Sequence, residues 1–172
     1  MHVTARLRAG LPSLRRKNAH RAILSAFEAG AERDGFRLTQ YSIQSNHIHV
    51  LIEAPNRETL SRGVQGLLIR VARALNRAWP RKGSVFSDRY HDRILRSPKE
   101  VRNALAYVLN NAKRHGIFEA GVDPFTSGLW FDGWREAKPS LVPSILPKAR
   151  SWLLTLGWRR WGLISLDTVP RG

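Results

Sequence analysis

Residues 46–52 read Asn46-His47-Ile48-His49-Val50-Leu51-Ile52, with two histidines on either side of an isoleucine. Successive side chains of a β-strand point to opposite faces of a sheet, so His47 and His49 share one face. The apolar residues Ile48, Val50 and Ile52 share the other face. The pattern predicts a strand that packs one face on a core and presents two imidazoles on the opposite face.

Two neutral imidazoles at this spacing can bind one divalent metal ion, and such an ion stabilises the charge that develops on a phosphate during displacement. The alternative interpretation is that both histidines are hydrogen-bonded within the sheet and bind nothing. The His-x-His pair alone does not decide between these two interpretations.

Segments with strand and helix periodicity alternate around the histidine strand. Strands are predicted around Val3, Ala5 and Leu7, at 36–43 and at 47–53, and Gln44-Ser45-Asn46 is predicted to join the last two as a hairpin. Helices are predicted at 15–33, at 58–79 and from Ser97 or Pro98 to about His115, with an irregular extended segment at 85–95. Ser97 is the predicted cap of the third helix, with Glu100 three residues later as in a capping box. This order indicates a mixed sheet with helices packed on it.

The chain has 172 residues, no cysteine and a formal net charge of +16. Its length predicts one domain with a core plus an appendage. The charge favours a polyanionic partner, nucleic acid first and an anionic membrane second. The absence of cysteine excludes disulfides, thiolate zinc sites and cysteine catalysis. Because no apolar run could span a membrane and the first residues lack the apolar block of a signal peptide, we expect a cytoplasmic protein.

The predicted third helix carries Tyr107 and Asn111, which are four residues apart and therefore nearly on one line of its surface. Both flank its apolar stripe, where they can border a cleft. A tyrosine hydroxyl becomes a useful nucleophile when a cationic field or a metal-bound phosphate helps to remove its proton. Tyr107 is the candidate nucleophile, with an ordinary core-edge tyrosine as the alternative. Tyr90, in a basic extended segment, is its competitor, whereas Tyr41 is predicted to be a sheet residue.

Four segments resemble the IS200-like, REP-associated tyrosine transposases, which are single-tyrosine HUH nucleases. His2-Val3-Thr4 resembles their opening strand, and Ser45-Asn46-His47-Ile48-His49-Val50-Leu51 resembles their Pro-Asn-His-Val-His-Leu-Leu strand. Phe86-Ser87-Asp88-Arg89-Tyr90 resembles their Phe-x-Gly-Arg-Tyr segment. Residues 107–116 resemble their Tyr-Ile-His-Leu-Asn-Pro-Val-Arg-Ala-Gly helix end. The resemblance covers residues 1–116.

The resemblance implies a ferredoxin-like α+β core with an antiparallel sheet, and cleavage of single-stranded or hairpin DNA through a 5′-phosphotyrosine intermediate. It implies that Tyr107 is the nucleophile and that His47, His49 and Asn111 bind Mg²⁺ or Mn²⁺. The expected roles are DNA transposition or related recombination. A nucleoid-associated protein is expected, and both monomer and homodimer remain open.

Chain order separates this family from other HUH enzymes. The tyrosine precedes the histidines in relaxases, and in replication initiators a lysine commonly follows the tyrosine three residues later, whereas position 110 here is Asn. The remaining alternative is a non-enzymatic module that binds single-stranded nucleic acid through basic and aromatic side chains. That alternative leaves the His47, His49, Tyr107 and Asn111 group unexplained.

Basic residues are predicted to contact DNA at Arg70, Arg73, Arg77, Arg89 and Arg93. Residues 117–172 are predicted to form a C-terminal appendage of unknown role, and they contain five of the six tryptophans. Two interpretations of the segment from Arg150 to Trp161 are considered: its tryptophans pack the appendage onto the domain, or they stack on nucleic acid. The first interpretation is favoured.

Overall fold

The histidine strand lies in the middle of a five-stranded sheet in the computed structural model, which describes residues 1–170. The strands are β1 (His2–Arg6), β2 (Glu32–Arg33), β3 (Phe36–Ile43), β4 (His47–Glu53) and β5 (His91–Arg93). Their order is β2-β3-β4-β1-β5, and every pairing is antiparallel. The predicted antiparallel α+β fold is confirmed, and the mixed sheet that the pattern alone suggested is wrong.

Two helices, α1 (Lys17–Glu28) and α2 (Arg57–Ala78), pack on one face of the sheet. The apolar residues of β4, Ile48, Val50 and Ile52, belong to this core. Helix α2 comes very close to the sheet at Gly63, where an added Cβ atom would lie 2.0 Å from the Phe36 ring of β3. Without β2, the order β1-α1-β3-β4-α2-β5 is that of a ferredoxin-like fold.

The opposite face of the sheet carries α3 (Pro98–Leu109), followed by the short α4 (Asn111–Arg114). Ser97 caps α3 by accepting the N–H of Glu100, whose carboxylate accepts the N–H of Ser97, so the predicted capping box is confirmed. The apolar stripe of α3 packs on Leu51 of β4. Helix α3 therefore covers the face that holds the two histidines.

The predicted first helix is too long, because residues after Glu28 turn into a hairpin. Asp34 and Gly35 have φ angles of 46° and 86°, the left-handed conformations that a tight Asp-Gly hairpin turn requires. This turn pairs Glu32–Arg33 with the start of β3. The hairpin removes residues 29–33 from the helix.

The C-terminal segment packs on α3. It contains α5 (Trp152–Thr155) and two 3-10 turns, Ser127–Trp130 and Gly157–Trp161. Phe131, Trp134, Trp158 and Ile164 share one core cluster with the apolar stripe of α3. The segment and the helix that bears Tyr107 therefore stabilise each other. No helix within residues 1–170 combines the length and the apolar character needed to cross a membrane.

Candidate active site

His47 and His49 stand side by side on the α3 side of the sheet, with ring centroids 4.7 Å apart. Their partners across the ladder in β1 are Arg6 and Thr4. His47 is half-buried, while His49 is buried beneath α3. The prediction that the two imidazoles share one face of the sheet is confirmed.

Both imidazoles are hydrogen-bonded through Nδ1. Nδ1 of His47 lies 2.8 Å from Oδ1 of Asn46, and Nδ1 of His49 lies 3.0 Å from the Thr4 hydroxyl. Nε2 of His49 is buried and has no hydrogen-bond partner within residues 1–170. A hydrogen bond at one ring nitrogen orients the ring and leaves the other nitrogen available as a metal ligand.

His2 is a neighbour of the site that the motif analysis did not single out. Its Nε2 lies 3.1 Å from Nδ1 of His49, and its ring centroid lies 5.7 Å from that of Tyr107. The sequence could have suggested His2, because His2 and Thr4 are two positions apart in a predicted strand and therefore share one face of the sheet. Their position opposite β4 depends on the strand register, which pairs Thr4 with His49.

Tyr107 of α3 packs edge-on against His49, with ring centroids 5.2 Å apart. Asn111 begins α4 just beyond, where it is fully buried. The predicted helix through His115 is interrupted at Asn110, which has φ −106° and ψ 14°. Tyr107 and Asn111 therefore lie on two consecutive helical segments rather than on one continuous helix.

The two neighbouring asparagines have different surroundings. Nδ2 of Asn110 donates to the carbonyl oxygen of Ser165 in the C-terminal segment, at 3.1 Å. Neither amide atom of Asn111 has a hydrogen-bond partner within the described residues. A buried unpaired amide costs about 1–3 kcal/mol. Of the two asparagines, Asn111 is thus the one whose buried side-chain amide lacks a hydrogen-bond partner within residues 1–170.

The other two tyrosines lie on the opposite side of the sheet. Tyr41 is buried against Phe27 of α1, and burial raises the pKa of its phenol. Tyr90 packs against the same core cluster of α1 and α2. Of the three tyrosines, Tyr107 is the one whose ring contacts His49.

A cleft of about 850 Å³ opens beside Tyr107 and is rich in arginine. Arg93, Arg102 and Arg114 line it, and the guanidinium of Arg114 lies 5.7 Å from the centre of the Tyr107 ring. Glu100 is the acidic residue in the lining and lies 3.2 Å from Arg93. Sequence reasoning missed Arg102 and Arg114, which could have been suspected only from their positions five before and seven after Tyr107.

The arginines predicted to contact DNA occupy different parts of the molecule. Arg93 lines the cleft, and Arg89 is exposed in the segment before β5. Arg70, Arg73 and Arg77 belong to α2, which packs on the sheet face opposite the histidines. The fold therefore brings Arg93 to the site and leaves the α2 arginines on another surface.

His49 and Asn111 carry buried polar atoms of the chemical type that binds divalent ions. Burial, reinforced by neighbouring cationic groups, lowers the pKa of His47 to about 4 and that of His49 to about 2, so both rings are neutral near pH 7. Metal ligation requires neutral imidazoles. No group of three His, Cys, Asp or Glu side chains within residues 1–170 is arranged to hold a metal. The buried, unpaired Nε2 of His49 and the amide of Asn111 are donors of the kind such a site needs.

Comparisons with known proteins bear on the family and the fold of the chain. A family model described as IS200-like transposase matches residues 4–111, which is more than half of the chain. A solved structure of a REP-associated tyrosine transposase bound to a REP hairpin superposes with a TM-score of 0.56 at 16% sequence identity. The match covers 87% of this chain and 92% of that chain, and at this identity it supports the fold. No curated protein sequence matches the chain.

Proposed function

Because the chain belongs to the IS200-like transposase family, we propose that it cleaves and rejoins single-stranded DNA through a covalent bond to Tyr107. The observation that carries this proposal is the packing of the Tyr107 ring against His49, whose Nε2 is buried and unpaired. A phenol beside two neutral imidazoles and an unpaired amide is suited to attack on a metal-bound phosphate. The other two tyrosines lie across the sheet from these groups.

In the proposed step, the hydroxyl oxygen of Tyr107 attacks the phosphorus of a phosphodiester. A bond from this oxygen to phosphorus forms, and the bond from phosphorus to the 3′ oxygen of the preceding nucleotide breaks. The phenol loses its proton and the departing 3′ oxygen takes one up, so no net proton is consumed. The new 5′-phosphotyrosine preserves the phosphodiester bond energy, and a second 3′-hydroxyl can reverse the reaction without ATP.

The residues of the site have separate tasks in this proposal. His47, His49 and Asn111 would hold Mg²⁺ or Mn²⁺, which when bound supplies positive charge against the phosphate oxygens. Thr4 and His2 keep the ring of His49 in position through Nδ1. Arg114, beside the Tyr107 ring, and Arg93, in the lining of the cleft, add positive charge that attracts the DNA strand.

Hairpin-forming single strands are the substrate class that we propose. The solved transposase with the same fold is bound to a REP hairpin. The net charge of +16 supports an affinity dominated by phosphate contacts. A protein that acts on such DNA is expected to work at the nucleoid.

Incubation of the protein with labelled hairpin DNA taken from beside its own gene should yield a protein-DNA adduct that survives denaturing electrophoresis. We expect the adduct with Mg²⁺ or Mn²⁺, no adduct after chelation with EDTA, and recovery when excess Mn²⁺ is added. A fully paired duplex of the same sequence is the control for strand specificity. Binding without an adduct in any divalent ion would instead support the non-enzymatic binding module.

The salt dependence of DNA binding tests the arginines of α2. Replacing Arg70, Arg73 and Arg77 together by alanine should reduce the slope of log affinity against log salt by about 2. The reason is that binding releases fewer counterions from the DNA when three phosphate contacts are missing. The measurement is fluorescence anisotropy with single-stranded DNA over a range of NaCl concentrations. The matched control removes three exposed lysines, Lys82, Lys138 and Lys148. Equal slopes in the two triple variants would remove α2 from the DNA footprint.

A further inference from the structure

Two tryptophans of the C-terminal segment remain exposed although the other tryptophans of its core are buried. Trp152 is 47% exposed and Trp161 is 53% exposed, whereas Trp158 is 1% exposed. The prediction that the tryptophans of residues 150–161 pack onto the domain therefore holds for Trp158 and not for Trp152 or Trp161. Trp152 and Trp161 therefore need an explanation other than packing of the core.

Each exposed indole has a cation beside it. Lys99 Nζ lies 5.2 Å from the centre of the Trp161 ring, and the Arg160 guanidinium lies 5.0 Å from the centre of the Trp152 ring. Such pairs are individually weak at exposed sites. An exposed aromatic face next to a positive charge is nevertheless the arrangement on which proteins stack a base and bind its phosphate.

Helix α3 connects this surface to Tyr107. Lys99, Asn103 and Tyr107 follow one another at intervals of four residues, so they lie nearly on one line of the helix. Lys99 and Asn103 are exposed, and Tyr107 is half-buried. We call these three residues together with Trp161 the α3 strip.

The backbone just after Trp161 is hydrogen-bonded to an α3 side chain. Arg102 donates from Nε to the carbonyl oxygen of Gly162, at 2.9 Å, and from Nη2 to that of Leu163, at 3.1 Å. These bonds tie the two residues after the Gly157–Trp161 turn to α3. The backbone at Trp161 is therefore anchored to the helix that bears Tyr107.

The charge along this path favours a DNA strand. Arg93, Arg102 and Arg114 line the adjoining cleft. The carboxylate of Glu100 is engaged by Arg93 and by the backbone N–H groups of Arg96 and Ser97. The one acidic side chain of the lining is therefore neutralised locally.

We propose that the α3 strip is a binding path for single-stranded DNA, along which the strand runs from the phosphate at Tyr107 to a base stacked on Trp161. The eight helical steps from Lys99 to Tyr107 span about 12 Å. This distance corresponds to roughly three or four stacked nucleotides. The path rests on the proposed function, since it starts at the phosphate that Tyr107 attacks.

The test is binding of oligothymidylate longer than the roughly 16 nucleotides of a typical single-strand site. It uses full-length protein with the Tyr107→Phe substitution, so that the DNA stays intact. We expect Trp161→Ala to weaken binding roughly tenfold and Trp161→Phe to retain most of the affinity, because a phenyl ring still stacks. Leu141→Ala, which removes an exposed apolar side chain outside the α3 strip, is the matched control and should bind normally.

A second measurement applies even if Trp161→Ala does not fold. Oligothymidylate carrying 5-iodouracil is irradiated with the protein that retains Trp161, and the crosslinked peptide is identified by mass spectrometry. A crosslink at Trp161 is the expected result. Unchanged affinity in a folded Trp161→Ala protein, or crosslinks only outside the α3 strip, overturns the path. Failure of the proposed function is a separate outcome, namely the absence of a covalent adduct with Tyr107 intact.

Discussion

Tyr107→Phe should bind single-stranded DNA almost normally and form no covalent adduct with it. The substitution removes only the phenolic oxygen, so the ring still packs on His49 and the helix keeps its contacts. Loss of a covalent nucleophile lowers activity by roughly a thousandfold or more in other enzymes. The measurement is denaturing electrophoresis of labelled hairpin DNA after incubation with the protein and Mn²⁺.

Tyr90→Phe is the matched control for the nucleophile. It also removes one phenolic oxygen, but from a side chain packed on the opposite side of the sheet. This variant should form the adduct at the rate of the wild type. An adduct that persists in Tyr107→Phe and disappears in Tyr90→Phe would show that the nucleophile has been assigned to the wrong tyrosine.

His47→Ala and His49→Ala should each lower cleavage by at least about a hundredfold and weaken Mn²⁺ binding. Loss even of an outer partner of a metal ligand costs 10- to 100-fold in affinity or activity, so loss of a ligand should cost no less. DNA binding should change little, because phosphate contacts elsewhere supply most of the affinity. Cleavage is followed by gel, and Mn²⁺ binding by the loss of the free-ion signal in electron paramagnetic resonance.

His91→Ala is the control for these substitutions, since His91 is an exposed histidine of β5. It should retain Mn²⁺ binding and cleavage. Thermal unfolding of all three variants identifies a loss of activity that comes only from unfolding of the buried His49 site. Normal cleavage by either His47→Ala or His49→Ala would contradict the metal-ligand assignment.

The features of the fold and the site that depend on residues close in sequence could be predicted from the sequence. Alternation around His47 predicted the shared face, and Ser97 with Glu100 predicted the start of α3, because both depend on residues a few positions apart. The Asp34-Gly35 turn was also readable, as an Asp-Gly pair before an alternating strand. The hairpin was missed because the apolar spacing of α1 favours one more helical turn after Glu28, so the two signals conflict over residues 29–33.

The parts that could not be predicted depend on distant contacts. The helix that was predicted to reach His115 is interrupted at Asn110, whose side chain donates a hydrogen bond to Ser165. Ser165 is 55 residues away in sequence, so the residues around Asn110 do not predict this contact. The position of His2 beside His49 follows from strand register. Likewise, the sequence does not distinguish the buried Trp158 from the exposed Trp161 three residues later, since their burial depends on how the 3-10 turn meets α3.

The shared core of α3 and the C-terminal segment also bears on when the site forms during protein synthesis. Proteins emerge from the ribosome N-terminus first, and contacts distant in sequence must wait for the later partner. Strands β1, β3 and β4 with helices α1 and α2 can associate early. The part of the α3 core that packs on Trp158 and Ile164 stays uncovered until these residues have been synthesised. We therefore expect a nascent chain to hold its histidines in a sheet before the helix that bears Tyr107 is fully stabilised over them, which requires Trp158 and Ile164.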